Sequence, residues 1–546
     1  MKLLLAWFCL VLLAISHPRN DVDENALKAI REKIVQTNIG CTPNWNLINI
    51  ASLANEMVPL PGAGKWSWKI STSNDSAQFY FNQGINLYYG FHIIEAVPSF
   101  RKAQQFDPGC AMLYWGEALA LGPNINDIGY SASVDASKAA DLAVQHLSSA
   151  TQKEQSLIKA MQLRYSKDSA TNQIKLNEQY AAAMRLVFKE NEQDADIGSL
   201  FADALMLLHP WDFWYHNGSP KEWTPEIVQV LETVLKKSPL HPGANHYYIH
   251  TVEASDDPAK AMQSADRLGS LAPSLSHMVH MPSHIYVRTG KFEKGIQVNT
   301  DAIKGYDLYK TLFPAVSDKV DLYEIHNRHM QAACAINVED YPNALKLAES
   351  CRNSIPADWL TIPGMGYYVQ YIYLSPEFIM AAFGHWDEIL DQPEIPDNLV
   401  YGKILQAFCK GLAYVQKGNI QQSQTHLQKM QALLADSSLS LPIGAMNAPL
   451  SGGLVAQAIL EGAIAGASGD QQKSIAAYSK AVELEDAMIY NEPKDWLLPA
   501  RYWLGNAYLK SGDYNKALKI FEADLQKNPG SLFAKKGQIA AKKRKS

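Results

Sequence analysis

A helical pattern that returns every 34 residues constrains this chain more than any other feature. In FYFNQGINLYYGFHIIEAVPSFRKAQQFDP, Gly84, Ala96, Phe100, Ala103 and Pro108 fall at positions 8, 20, 24, 27 and 32 of such a period. The next unit opens with Trp115-Gly116 at positions 7 and 8, and near the other end Gly505, Tyr508, Ala517, Phe521 and Pro529 fit positions 8, 11, 20, 24 and 32. Small residues at these points let two antiparallel helices approach closely, and the final proline stops the second helix. A unit of this kind cannot bury its apolar face alone, so units must stack.

The small-and-large pattern is that of the tetratricopeptide (TPR) repeat. The expected fold is therefore all-α: a TPR-like α-solenoid, a right-handed superhelix of antiparallel helix pairs over residues 73–535. Further pairs are expected around 150–190, 195–240, 242–274, 276–310, 325–357, 362–395, 400–436 and 454–486, and β-branched alternating runs are scarce. Two longer stretches, HPWDFWYHNGSPKEW at 209–223 and KTLFPAVSDKV at 310–320, read as inserted loops.

Residues 1–16 read as an export signal: Lys2, an apolar run from Leu3 to Leu13, then Ala14-Ile15-Ser16 as a small-residue cleavage site. That run is too short to span a bilayer, and no later segment reads as a membrane span. The expectation is an exported protein, periplasmic or secreted. Residues 17–72 carry one amphipathic helix, Glu24 to Val35, and a proline- and glycine-broken connector, MVPLPGAGKWSW; residues 536–546 form a basic tail. With 49 basic and 55 acidic residues and no other single-sign block, the chain has no nucleic-acid footprint. Widely spaced cysteines, one of the six lost with the signal, exclude a disulfide scaffold.

Against this frame one sub-pattern stands out. His246 and His250 recur 34 residues later as His280 and His284, and eight of the fifteen histidines fall between 241 and 329. The repeat register puts His246, His250 and Glu253 at positions 5, 9 and 12 of one unit. His277, His280 and His284 take positions 2, 5 and 9 of the next, and His326 and His329 positions 2 and 5 of the one after. These positions share the helix face that lines the concave groove. Residues four apart on a helix lie about 5–6 Å from each other, so one HxxxH pair can give two imidazoles to a single ion. Neighbouring helices about 8–10 Å apart can complete the shell.

The reading is a histidine-rich groove at 241–330 that binds a divalent transition metal, copper, iron or zinc, as one ion or two. His246, His250, His280, His284 and His329 form the ligand core. His277 and His326 are further ligands or outer-shell partners, and Glu253 is an outer-shell partner or general base. Pro282 complicates the register, because a proline within a helix removes a backbone bond; the helix is expected to start near Met281, leaving His280 at its mouth and His277 in the loop before it. His209, Trp211, Asp212 and His216 are placed to cover the groove as a lid. Tyr247, Tyr248, Tyr286 and Arg288 read as packing or solvated residues. No GxSxG, Gly-rich phosphate loop or HExxH is present.

The segments HPWDFW (209–214), HPGANHYYIHTVEAS (241–255), HMPSHIYVRTG (280–290), HNRHM (326–330) and YNEPKDW (490–496) resemble those of a family of exported bacterial TPR proteins. The likeness runs from about Ser73 to Leu532. It implies a repeat fold and carries no settled reaction.

Two function classes follow. In one, the histidines hold a catalytic metal, for oxygenase, oxidase or hydrolase chemistry on a small-molecule, glycan or peptide substrate in the groove. In the other, the solenoid is a scaffold for a peptide or protein partner. A closed, polar, histidine-lined pocket would favour the first, and an open channel with aromatic and basic walls the second.

Overall fold

The computed structural model describes residues 48–126, 134–167, 171–314, 322–442 and 447–545. The signal segment and the Glu24 to Val35 helix lie outside the described residues. From Asp75 onward the chain is a succession of antiparallel helix pairs, beginning with Asp75–Tyr89 and Ile93–Phe106 and ending with Ala500–Lys510, Tyr514–Lys527 and Leu532–Lys545. Among the described residues there is no strand, only an isolated antiparallel bridge between Trp214 and Pro220.

The first and last repeats show why the glycines are where they are. Phe100 fills the space between Gly84 of its own unit and Gly116 of the next, where a Cβ would meet the ring at 2.8 and 2.4 Å. Phe521 does the same between Gly505 and Gly537, at 2.5 and 2.3 Å. Any side chain at these glycines would push the helices apart by more than a packed core tolerates.

Four sequence expectations are refined. The residues after 535 are not a free tail: they continue the Leu532–Lys545 helix, whose Phe533, Ala534, Gly537 and Ala541 are buried. The connector at 57–68 is packed, with Met57, Leu60, Ala63 and Trp68 all buried, and it follows a short unpredicted helix, Ile50–Glu56. Pro449–Ala467 is long and apolar enough to cross a membrane by length and composition. Its apolar character serves packing instead: Gly462 lies against Tyr478, Gly453 against Leu434, and its own Leu460 against Gly411. The loop expected at 310–320 starts late, because Phe292–Leu312 runs on through Leu312; its residues from 315 lie outside the described set.

Buried apolar side chains form two main cores, one from Ile50 to Tyr323 and one from Ala332 to Phe533. The Leu322–Ala335 helix bridges them, with Tyr323 in the first and Ala332 to Ala335 in the second. His326 and His329 sit between those contacts. The histidine layer therefore lies at the seam of the two halves.

Candidate metal centre

Pro242–Val252 begins with a proline at its first turn, where no hydrogen bond is lost, and His241 caps it: its Nδ1 accepts from the Ala244 N–H at 3.0 Å. This leaves Nε2 of His241 for Asp196 at 3.3 Å, so His241 is a capping residue and faces no ion. One turn further in, His246 and His250 share a face, and Glu253 follows as the C-cap residue.

The second element is more regular than expected. Ser276–His280 and Pro282–Arg288 meet at Met281, which keeps right-handed helical angles, and its N–H bonds to His277 O at 2.9 Å. Pro282 breaks the ladder without turning the chain, so His277 is helical rather than in a loop. His277, His280 and His284 consequently line up on one side.

Six imidazoles form a continuous layer. In a first triad, His246 lies 4.8 Å from His250 and 4.9 Å from His277 between ring centroids. In a second, His280 lies 4.7 Å from His284 and 4.8 Å from His326. The triads touch where His250 meets His284 and His277 meets His280, each at 5.9 Å. Within each triad the nitrogens that could bind an ion lie within 4.8 Å of one another. His246, His250, His277, His280, His284 and Glu253 are each 2% exposed or less; His326 is partly exposed.

The outer partners decide which nitrogen faces inward. His246 Nδ1–H donates to the Tyr89 carbonyl at 2.6 Å. His250 and His284 direct Nδ1 at the two oxygens of Glu253, at 3.0 and 2.7 Å. His280 Nδ1 meets Asn299 Oδ1 at 2.6 Å, and the Asn299 amide is oriented by its own bond from Nδ2 to Gly295 O at 2.7 Å. An imidazole that donates from Nδ1 to an oxygen keeps its Nε2 lone pair, the arrangement metal-ligating histidines use. His246 Nε2, His250 Nε2 and both nitrogens of His277 are buried with no hydrogen-bond partner. Buried polar atoms are normally paired, so three side chains left unpaired in one layer mark it as a place for an ion or an ordered water.

In the second triad His280 Nε2 and His284 Nε2 stand 2.7 Å apart. Two lone pairs cannot face each other at that distance without a cation between them, a proton or a metal. In the protein alone the proton goes to His284: burial disfavours it, but Glu492 and Glu253 outweigh burial and raise His284 to about 10. Burial raises Glu253 well above the usual carboxylate range, and the adjacent Glu492 charge adds to it. Burial lowers His246 and His326 to about 3 and His250, His277 and His280 well below the ordinary value, with neighbouring imidazoles adding to the effect at each. Neutral imidazole is the form a metal binds.

His329 is placed elsewhere. It is fully buried beside Tyr371 at 5.6 Å and Tyr368 at 6.5 Å, lowered to about 3 by burial, and belongs to neither triad. Of the lid residues, Trp211 stands edge-on over His250 at 5.0 Å. It does so at φ +61°, in the left-handed region that side chains rarely adopt. His209 instead stacks on Trp223 at 3.6 Å, Asp212 pairs with Lys221, and His216 reaches the Asp486 carbonyl. Tyr247 is core, Tyr248 and Tyr286 bond Glu232 and Asp266, and Arg288 bonds Ser255 O.

Glu492, Phe91 and Asn299 belong to the site and were not among the candidates. Glu492 reaches His284 Nδ1 from the YNEPKDW segment of the second half; the recurrence of that segment in the resemblance was its one signal. Phe91, at φ +57°, covers His246 at 4.6 Å, His277 at 5.5 Å and His250 at 5.9 Å. Two non-glycine residues in this backbone region, both against the same triad, place local backbone strain beside it.

A tetratricopeptide-repeat family profile matches residues 499–531, the Ala500–Lys510 and Tyr514–Lys527 hairpin. The chain is a TPR-like α-solenoid. Among solved structures it is similar to the human IFIT1 dimer with m7Gppp-AAAA, at 13% identity over 91% of this chain and 99% of that one, with a TM-score of 0.32. It is also similar to yeast Tom70, at 12% identity over 86% of this chain and 89% of that one, TM-score 0.28. The Cut9 and Hcn1 hetero-tetramer of the APC/C gives 12% identity over 86% and 78%, TM-score 0.28. No curated protein matches the chain by sequence.

Proposed function

We propose that this TPR solenoid is an exported metal-dependent enzyme whose two histidine triads each hold one transition-metal ion. The observation that carries the reading is the inward-facing Nε2 set: without partners at His246 and His250, whose Nδ1 atoms are held by Tyr89 O and Glu253, and facing each other at 2.7 Å at His280 and His284, whose Nδ1 atoms are held by Asn299 and Glu253. Duplicated residues kept only for packing would not need Nδ1 tied to an oxygen at His246, His250, His280 and His284 with Nε2 turned into the layer. The closed, buried layer also speaks against an extended peptide lying along this part of the groove, since its histidines offer almost no surface to a partner. A bound ion activates water or dioxygen. The chain's own part is to hold the imidazoles neutral, exclude bulk water beneath Phe91 and Trp211, and admit a small reactant past His326, the partly exposed member.

Elemental analysis of the mature protein, purified without a histidine tag or chelating resin, tests this. Two ions per chain are expected, both weakened or lost in a His246→Ala/His284→Ala variant. If neither protein holds metal and added ions leave the melting temperature unchanged, the enzyme reading falls and the scaffold reading takes its place.

A further inference from the structure

Resting on that two-ion reading, the layer also carries information about which metal it takes and what that metal binds. Each Glu253 oxygen is engaged by a histidine Nδ1, so Glu253 backs the imidazoles from outside, and an ion held by Glu253 with His250 and His284 would compete with both of those bonds. Both triads are then purely imidazole, three nitrogens each once an ion displaces the proton between His280 and His284, a low-coordinate set that suits copper in its monovalent state. Magnesium, calcium and manganese prefer oxygen ligands and are poorly served here.

Charge narrows the choice. The layer contains two buried carboxylates, Glu253 and Glu492, 1% and 7% exposed. Arg288 uses its guanidinium on the Tyr490 ring, 5.0 Å away, and on the Ser255 carbonyl. These carboxylates supply at most two negative charges, so two monovalent ions leave the layer closer to neutral than two divalent ions, which would bury an excess of at least two positive charges at a cost. The triads also share contacts at His250 with His284 and at His277 with His280, so ions in them would be close neighbours bridged by no side-chain ligand. Phe91 and Trp211 cover the first triad with apolar surface, so a reactant that enters past the partly exposed His326 meets a dry site that suits a small, uncharged molecule and disfavours a charged one.

We propose that the six imidazoles hold two copper(I) ions as a coupled pair and that the small molecule bound between them is dioxygen. The step balances without a proton: each copper(I) gives one electron, the O–O bond stays, and the products are two copper(II) ions and the peroxide dianion. Net charge in the layer is unchanged, because the peroxide offsets the charge the two metals gain.

The test uses the full mature chain loaded with copper(I) under anaerobic conditions and then exposed to dioxygen. Expected are two coppers per chain, one dioxygen taken up per pair, and an oxidised product silent in electron paramagnetic resonance, because adjacent copper(II) spins cancel. A His326→Gln variant, changed at the exposed edge and checked for folding by circular dichroism, should keep one copper and gain the signal of a single copper(II). Two coppers giving the full signal of separate copper(II) ions, or no dioxygen uptake, would overturn the pair while leaving the two-ion site intact. So would stoichiometric zinc or iron that copper cannot displace. Failure to bind any metal would remove the two-ion reading itself.

Discussion

Each triad takes ligands from two successive repeats, the first from Pro242–Val252 and Ser276–His280, the second from Ser276–His280, Pro282–Arg288 and Leu322–Ala335, and their surroundings differ. Around His246, His250 and His277 the cover is aromatic, and one outer partner, Tyr89 O, is a backbone carbonyl. Around His280, His284 and His326 the neighbours are two carboxylates and an amide, and one ligand is partly exposed. Duplicated ligands with unequal settings mean that the halves of the centre need not bind or react alike. The first is dry and keeps its histidines neutral; the second holds a proton that a metal must displace.

The largest effect that separates them is ligand removal. His280→Ala should abolish the second ion and leave the first, taking the metal content from two per chain to one, with His246→Ala doing the reverse; inductively coupled plasma analysis reads both. Loss of both ions from either variant would mean that the triads form one indivisible site.

Protons separate them next. His284 holds its extra proton up to about 10, so below that pH the apparent affinity of the second triad should rise about tenfold per pH unit. His246 is neutral above about 3, so the first triad should show no such slope. Lowering the pH from 8 to 6 should therefore weaken the second ion about 100-fold and spare the first, measured by chelator competition. The metal-free protein carries the same asymmetry in its stability. The raised pKa of His284 favours the fold below the unfolded value of about 6.5, and that contribution is lost as pH climbs towards 10. The depressed pKa of His246 favours the fold above about 6.5, and its contribution is lost as pH falls towards 3. Denaturant melts across pH should show both flanks.

Smaller effects come from the outer partners. Glu253→Gln touches a histidine of each triad and should cost each ion roughly 10–100-fold in affinity. Asn299→Ala touches His280 alone and should weaken only the second, by about tenfold at the low end of that range. An equal loss at both triads in Asn299→Ala would contradict the assignment.

The histidines were legible in the sequence because the repeat period does the geometry in advance: residues at one position of successive units must share a face. His241 fell outside the ligand set because its Nδ1 caps the helix and its Nε2 meets Asp196, which no spacing reveals. Pro282 misled because a proline within a helical run ordinarily starts or stops a helix, whereas here tertiary packing keeps Met281 helical and carries His277 into the layer. His329 has the right register, but its ring turns to Tyr368 and Tyr371, so its face meets the second half rather than the triads. Glu492 could not be placed because it arrives from a segment outside the histidine repeats, and only the closing of the second half onto the first brings it to His284. That closing is visible where Gly290 and Gly530 pass each other backbone to backbone. Asn299 was hidden for a related reason: it lies on Phe292–Leu312, the second helix of its unit, which the pattern assigns to packing.

A dinuclear centre in this layer means two ions, one per triad. Anomalous X-ray scattering from crystals of the mature protein, recorded on both sides of the copper, iron and zinc absorption edges, tests it directly. The account predicts two anomalous peaks per chain, one among the nitrogens of His246, His250 and His277 and one among those of His280, His284 and His326. A fully occupied chain with one peak between the triads, with peaks elsewhere, or with none would contradict it.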